Sequence, residues 1–236
     1  PNNLTARRRI PDCLQYRADI ADDSTLHGLA KGGDGDDQLF GTMSSESFDG
    51  GDGSDRVFAQ DGDDQLSGGP GTDYLYAGAG DDWLDQPMTE GTAGAQERQV
   101  VPGNDYLYGE IGDDTAGYKW INTSVRASPS GASTVSGTDR FDGIERFDLG
   151  NANDSWTGTR PLVSIHVNGN GGDDTIDVAG NAGLWGFDSV DCGDGDDRAR
   201  LDARRITTVG IPSLDPIVSL LPDGQSDCEE VESASS

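Results

Sequence analysis

The chain has 236 residues, and its 44 acidic against 16 basic side chains give a formal net charge of −28. That balance argues against nucleic acid or an anionic membrane surface as partner and favours many divalent ions or a polycation. Only 33% of residues are apolar, too few for a thick globular core but enough for a narrow solenoid, and no stretch approaches the run of about eighteen apolar residues that a membrane helix needs.

Residues 1–31 read as an N-terminal cap or linker. The chain begins Pro1-Asn2-Asn3, with no initiator Met and no charged start followed by an apolar run, and so reads as a processed or excerpted chain without a visible signal peptide. Arg7-Arg8-Arg9 is a short solvated basic run. The stretch Asp22 to Gly28 reads as a decayed repeat or a cap over an open solenoid end, which would otherwise present unpaired backbone groups.

From Gly32 the chain divides into nines without a gap: GGDGDDQLF, GTMSSESFD, GGDGSDRVF, AQDGDDQLS, GGPGTDYLY and AGAGDDWLD. The sixth position is Asp37, Glu46, Asp55, Asp64, Asp73 and Asp82, a carboxylate each time. The eighth is Leu39, Phe48, Val57, Leu66, Leu75 and Leu84, always apolar. The fourth is glycine except at Ser44. The Gly- and Asp-rich first six residues suit a turn, because glycine reaches φ > 0 without cost. The last three suit a short strand with one side chain facing inward. Two such units make one coil of about eighteen residues, which stacks Asp37 over Asp55, Glu46 over Asp64, Asp55 over Asp73 and Asp64 over Asp82. Carboxylates repeated at the roughly 5 Å spacing of neighbouring strands repel strongly, so a cation must lie among them. Carboxylates and carbonyls without Cys or His are hard oxygen donors, which suit Ca²⁺. The alternative, a disordered acidic linker, gives no reason for Leu, Phe and Val to keep a nine-residue beat.

This run resembles the RTX, or haemolysin-type, calcium-binding repeat G-G-x-G-x-D-x-U-x. The resemblance implies an all-β fold, a parallel β-roll or β-helix solenoid with several Ca²⁺ ions in the turns. Carried over by position, it implies Asp34, Asp36, Asp37, Glu46, Asp52, Asp55, Asp61, Asp63, Asp64, Asp73, Asp81 and Asp82 as metal ligands, with carbonyls of Gly32, Gly35, Gly50, Gly53, Gly62, Gly68, Gly71 and Gly80. Met43, Pro70 and Ala79 replace Asp at the third position, so their turns should bind more weakly. The repeat at Gly41, with Ser44 and Glu46, departs furthest.

Residues 86–99 interrupt the beat with Pro87, Gly91 and Gly94 and should form a loop leaving one face. The beat resumes as VVPGNDYLY and GEIGDDTAG, adding Asp105, Asp113 and Asp114 to the implied ligands. If the loop leaves cleanly, Asp73 pairs with Asp105 and Asp82 with Asp114. The calcium-binding roll thus spans 32–117. Residues 118–148 are read as a β-rich interruption without repeats. Residues 149–200 form a degenerate second block, LGNANDSWT, GNGGDDTID and CGDGDDRAR, with Asp154, Asp173, Asp174, Asp194, Asp196 and Asp197 as ligands and calcium mainly on one side. Leu162–Val167 and Leu184–Phe187 should be strands of irregular coils. Residues 201–236 are read as a C-terminal cap and tail, stapled by a Cys192–Cys228 disulfide in an oxidising compartment, with Glu229 to Ser236 frayed.

Two histidines, His27 and His166, and no G-x-S-x-G, H-E-x-x-H or P-loop leave a catalytic reading without support. The expectation is therefore a protein that is not an enzyme: a secreted or cell-surface calcium-binding β-roll that folds on Ca²⁺ and serves a structural or adhesive role. Its further partners would be other copies in an extracellular assembly, or cell-surface and matrix components. The alternative is the calcium-binding module of a larger secreted enzyme or toxin.

Overall fold

The computed structural model describes residues 14–17, 29–84, 103–119, 121–135, 137–158, 163–179, 188–201 and 230–233. The strands are β1 (Leu14–Arg17), β2 (Leu29–Asp34), β3 (Asp37–Phe40), β4 (Ser47–Asp52), β5 (Arg56–Asp61), β6 (Gln65–Ser67) and β7 (Tyr74–Ala79). They continue with β8 (Trp83–Leu84), β9 (Tyr106–Ile111), β10 (Thr115–Gly117), β11 (Arg126–Ser128), β12 (Gly131–Ser133), β13 (Thr138–Asp142) and β14 (Arg146–Asp148). The last are β15 (Ser155–Thr157), β16 (His166–Asn168), β17 (Thr175–Asp177), β18 (Ser189–Asp191), β19 (Arg198–Leu201) and β20 (Glu230–Ser233). The chain divides into two compact units, residues 1–117 with 136–144, and residues 118–135 with 145–236.

In the first unit the chain alternates between two parallel sheets. One runs β1-β3-β5-β7-β9-β13 and the other β2-β4-β6-β8-β10. The eighth-position residues pair in register, Leu39 with Val57, Val57 with Leu75 and Leu75 with Leu107. All four are fully buried, as are Leu66, Leu84 and Ala116 on the opposite sheet. The core is thus a thin double file of side chains. Along β3, β5, β7 and β9 alternate residues are buried, as the pleat requires, and this is why a third apolar content suffices.

The expected register across residues 86–99 holds: Tyr74 pairs with Tyr106 and Trp83 with Thr115. The loop itself lies outside the described residues. The reading of residues 118–148 is corrected. The stretch read as free of repeats contains one, for β13 pairs with β9 in the same register, Phe141 beside Leu107. Residues 134–142 (TVSGTDRFD) therefore complete a further coil, despite lacking the first two glycines.

In the second unit β11 and β12 form an antiparallel hairpin around Pro129-Ser130, and β11-β15-β17-β19-β20 pair in parallel. Facing them is the parallel set β14-β16-β18. Phe147, Trp156, Ile165, Val167, Ile176 and Val190 fill this core, with the Phe147 and Trp156 rings 4.3 Å apart. Glu230–Ser233, expected to fray, instead adds the strand β20 beside β19. Its four residues gain backbone partners that a frayed tail would leave to water. Leu184–Phe187 and Cys228 lie outside the described residues. Cys192 is buried, and the bridge expected to Cys228 falls with its partner outside them.

Candidate metal centre: stacked carboxylate ladders

The sixth residue of each nonapeptide ends the turn and opens the strand, two places before the buried eighth residue. The period-two pleat turns both side chains to the same, inner face. The carboxylates follow: Asp55, Asp73, Asp82 and Asp114 are fully buried, and Asp37, Asp64 and Asp105 nearly so. Asp55, Asp64, Asp73, Asp82, Asp105 and Asp114 each use Oδ1 to accept the N–H of the sixth residue one coil earlier. On one edge the bonds run from Asp37 N–H to Asp55 (2.7 Å), Asp55 to Asp73 (2.7 Å), Asp73 to Asp105 (2.8 Å) and Asp105 to Asp139 (2.9 Å). On the other they run from Glu46 to Asp64, Asp64 to Asp82 and Asp82 to Asp114. A third ladder in the second unit runs from Asp154 to Asp174 and Asp174 to Asp197.

The second oxygen is different. Oδ2 of Asp37, Asp55, Asp64, Asp73, Asp82 and Asp174 is buried and has no hydrogen-bond partner. A buried, unpaired carboxylate oxygen is costly, and its repetition on successive rungs marks a place for a cation. Gly50 shows what surrounds it. A Cβ there would lie 2.5 Å from Asp55 Oδ2 and 2.6 Å from the Gly68 carbonyl oxygen. Only glycine leaves room for that carboxylate oxygen and a carbonyl of the next coil to face one small volume. Among the described residues no three His, Cys, Asp or Glu side chains converge as a cluster. The donor set is thus a stacked carboxylate completed by backbone carbonyls, all hard oxygens, and it fits Ca²⁺ better than a thiolate- or imidazole-seeking metal.

Electrostatics point the same way. Burial pushes Asp55, Asp64, Asp105 and Asp174 up to about 7, and Asp73, Asp82 and Asp154 to about 6. The accepted N–H bonds lower these values in part, and neighbouring carboxylates raise those of the stacked rungs. Without a cation these groups ionise far less readily than free carboxyls.

The model of the RTX calcium-binding nonapeptide repeat, in four copies, matches residues 29–43, 49–84 and 102–116. The matched residues form an RTX calcium-binding repeat array. No curated protein matches the chain significantly. RTX repeats bind Ca²⁺, and the ladders of the first unit are their carboxylate layer. The Asp139 rung and the ladder of the second unit lie outside the matched residues.

The other positions of the RTX turn behave differently. Third-position carboxylates stack at one place, Asp34 beside Asp52. Asp61 instead pairs with Ala79, and Ala79 with Ile111. Met43 and Ile111, at the same position, are exposed apolar residues. Fifth-position residues point outward and form a second ladder of opposite sense. Asp36 Oδ1 accepts the Ser54 N–H (2.8 Å), Asp63 that of Asp81 (3.0 Å), Asp81 that of Asp113 (3.1 Å) and Asp173 that of Asp196 (3.1 Å). Glu46 is one methylene too long for the inner ladder and turns into its own turn, accepting the Thr42 N–H (2.8 Å) and hydroxyl (2.5 Å). The fourth-position glycines Gly35, Gly53, Gly62, Gly71 and Gly80 all have positive φ.

Two ladder residues escaped the sequence analysis. Asp139 was signalled by Gly137-Thr138-Asp139-Arg140-Phe141, the second half of a nonapeptide. Asp188, whose Oδ1 accepts the Ile165 N–H at 3.1 Å, opens β18 where a sixth-position residue would stand. Its only signal was the following apolar Val190. His166 Nδ1 pairs with Ser189 Oγ across β16 and β18. His27 lies outside the described residues.

Proposed function

We propose that the chain works outside the cell as a calcium-folded structural element, a spacer or adhesive segment able to join an extracellular assembly, and not as an enzyme. The observation that carries this reading is the buried, unpartnered Oδ2 repeated on successive rungs. A fold that buries so many carboxylates depends on its ions for stability, and millimolar Ca²⁺ is an extracellular condition. RTX repeat proteins are typically secreted, which agrees with this setting. The non-catalytic part of the reading is supported by the fate of the carboxylates. Asp55, Asp64, Asp73 and Asp82 each commit one oxygen to a backbone N–H, and the bare Oδ2 of Asp55 faces a carbonyl of the next coil, a setting suited to holding a cation rather than to moving a proton.

Sedimentation of the full chain in chelator and in 5 mM Ca²⁺ tests the proposal. The expected result is a slow, expanded species in chelator, and with Ca²⁺ a compact one that self-associates or binds to cell-surface material. A Ca²⁺-compacted monomer indifferent to both would instead favour a module serving a larger secreted enzyme or toxin. A hydrodynamic radius unchanged by Ca²⁺ would refute both.

A further inference from the structure

The chain has six tyrosines, and four of them stand in two identical triplets, Tyr74-Leu75-Tyr76 and Tyr106-Leu107-Tyr108. These triplets lie in the coils on either side of residues 86–99. We propose that Tyr76 and Tyr108 form an oxidative modification site. There a one-electron oxidant of the peroxidase class, working with hydrogen peroxide, joins the two rings as dityrosine and fastens the coil before residues 86–99 to the coil after them.

Register makes the pair. β7 and β9 run parallel with Tyr74 beside Tyr106 and Tyr76 beside Tyr108, and the pleat turns all four rings to the outer face. The Tyr76 and Tyr108 centroids lie 4.6 Å apart, with ring planes 3° from parallel. Both residues are partly exposed and open to an oxidant, whereas Tyr118 is buried. Radicals formed on neighbouring strands meet by a side-chain movement instead of a bimolecular encounter. Earlier coils hold residues at these positions that do not couple, Gln38 and Arg56 at the seventh and Phe40 and Phe58 at the ninth.

Charge separates the two pairs. The Arg56 and Arg140 guanidinium groups lie over the Tyr74 and Tyr106 rings at 5.2 and 5.1 Å, and Arg140 Nη1 donates to the Tyr106 hydroxyl oxygen at 3.2 Å. A cation against a ring makes removal of an electron harder. Tyr76 instead has the Phe58 ring on its other side, 4.9 Å away, and Tyr108 has Asp142 beside it in the register. An uncharged ring and a carboxylate therefore flank this pair, and oxidation is easier here. Each phenol gives one electron to the oxidant and its proton to water. The phenoxyl radicals join through a carbon–carbon bond ortho to each hydroxyl, and the hydrogen on each joined carbon moves to the phenolic oxygen. The chain loses two hydrogen atoms, and one hydrogen peroxide takes up the two electrons and two protons to become two waters.

Treating the dilute full chain in Ca²⁺ with a haem peroxidase and hydrogen peroxide tests this. Trypsin cuts after Arg56, Arg98 and Lys119. The expected product is peptide 57–98 joined to peptide 99–119, lighter than their sum by two hydrogen atoms, from a chain that stays monomeric on a denaturing gel. Fragmentation should place the bond at Tyr76 and Tyr108. Tyr76→Phe keeps a stacked ring and should lose both the joined peptide and the dityrosine fluorescence, while Tyr74→Phe should retain both. Absence of the joined peptide from the monomer, or dityrosine confined to cross-linked dimers, would overturn the proposal. So would a yield that Tyr76→Phe leaves unchanged or that Tyr74→Phe abolishes.

Discussion

Asp55 carries one oxygen that accepts the Asp37 N–H and one bare oxygen in the core, and the residues around it are chosen for that pair. Gly50→Ala would drive a methyl into Asp55 Oδ2 and the Gly68 carbonyl. It should cost about 2–4 kcal/mol of stability in saturating Ca²⁺, read from the denaturant midpoint. Glu110 is the opposite case. It sits at φ 73° opposite Gly78 at φ 114°, a region unfavourable to any residue with a Cβ. Glu110→Gly should therefore stabilise the Ca²⁺-loaded fold by about 1 kcal/mol, seen as a higher Tm. The buried carboxyls also set a pH dependence. Asp55, Asp64 and Asp105 rise from the ordinary 3.8 to about 7 in the fold. A folded value above the unfolded one means that the ion-free fold holds protons the unfolded chain releases. Their stabilising contribution is complete below about 3.8 and is lost progressively as pH climbs from there through about 7. In chelator, circular dichroism should show more β structure at pH 5 than at pH 8. With Ca²⁺ the trend should reverse, because protons compete for the same oxygens. Sequence reasoning reached these residues because a nine-residue beat is visible wherever Gly, Asp and Leu keep it. It could not tell that the fifth and sixth positions of an Asp-Asp pair divide the work, one outward on a backbone N–H and one inward on the ladder. Both are Asp in the text, and only the pleat separates them.

At the scale of the strand, the outer face of the first unit's β3-β5-β7-β9-β13 sheet carries a feature beyond the metal ladders. Phe40, Phe58, Tyr76 and Tyr108, the ninth residues of their repeats, stack in one column with centroids 5.1, 4.9 and 4.6 Å apart. Beside it Tyr74 and Tyr106 stack at 4.5 Å, with the Arg56 and Arg140 guanidinium groups over their rings at 5.2 and 5.1 Å. In-register parallel pairing forces like residues to neighbour one another, so a repeated aromatic becomes a column. Tyr76→Ala breaks the longer column in the middle and should cost about 1–2 kcal/mol in Ca²⁺, read as a lower denaturant midpoint with an unchanged far-UV spectrum. The strand scale is also where the sequence was least legible. Residues 134–142 supply Gly137, Asp139 and Phe141 but lack the first glycines, and the Ser- and Gly-rich hairpin before them hid the return to register. Glu230–Ser233 pairs with β19 through its backbone, which any sequence without proline can offer, so composition carried no mark of it.

For the molecule as a whole, the net charge of −28 and the thin double file of apolar side chains set the terms. So little apolar burial leaves a small margin for folding, and buried carboxylates erode it further until a divalent ion joins the turns. The coil architecture, the roll and the register across residues 86–99 were all readable from period alone, because a solenoid's contacts repeat its sequence. In the irregular unit the rungs Asp154, Asp174 and Asp197 were readable from their Gly- and Asp-rich turns, but its coils of 20 and 23 residues have no single period from which to read the pairing. The most direct test of the account is far-UV circular dichroism of the full chain at pH 7.5 during a Ca²⁺ titration, with Mg²⁺ as the control. The account predicts a largely unfolded spectrum in chelator and in Mg²⁺, and a cooperative rise of β signal with Ca²⁺. A full β spectrum in chelator that Ca²⁺ leaves unchanged would contradict it.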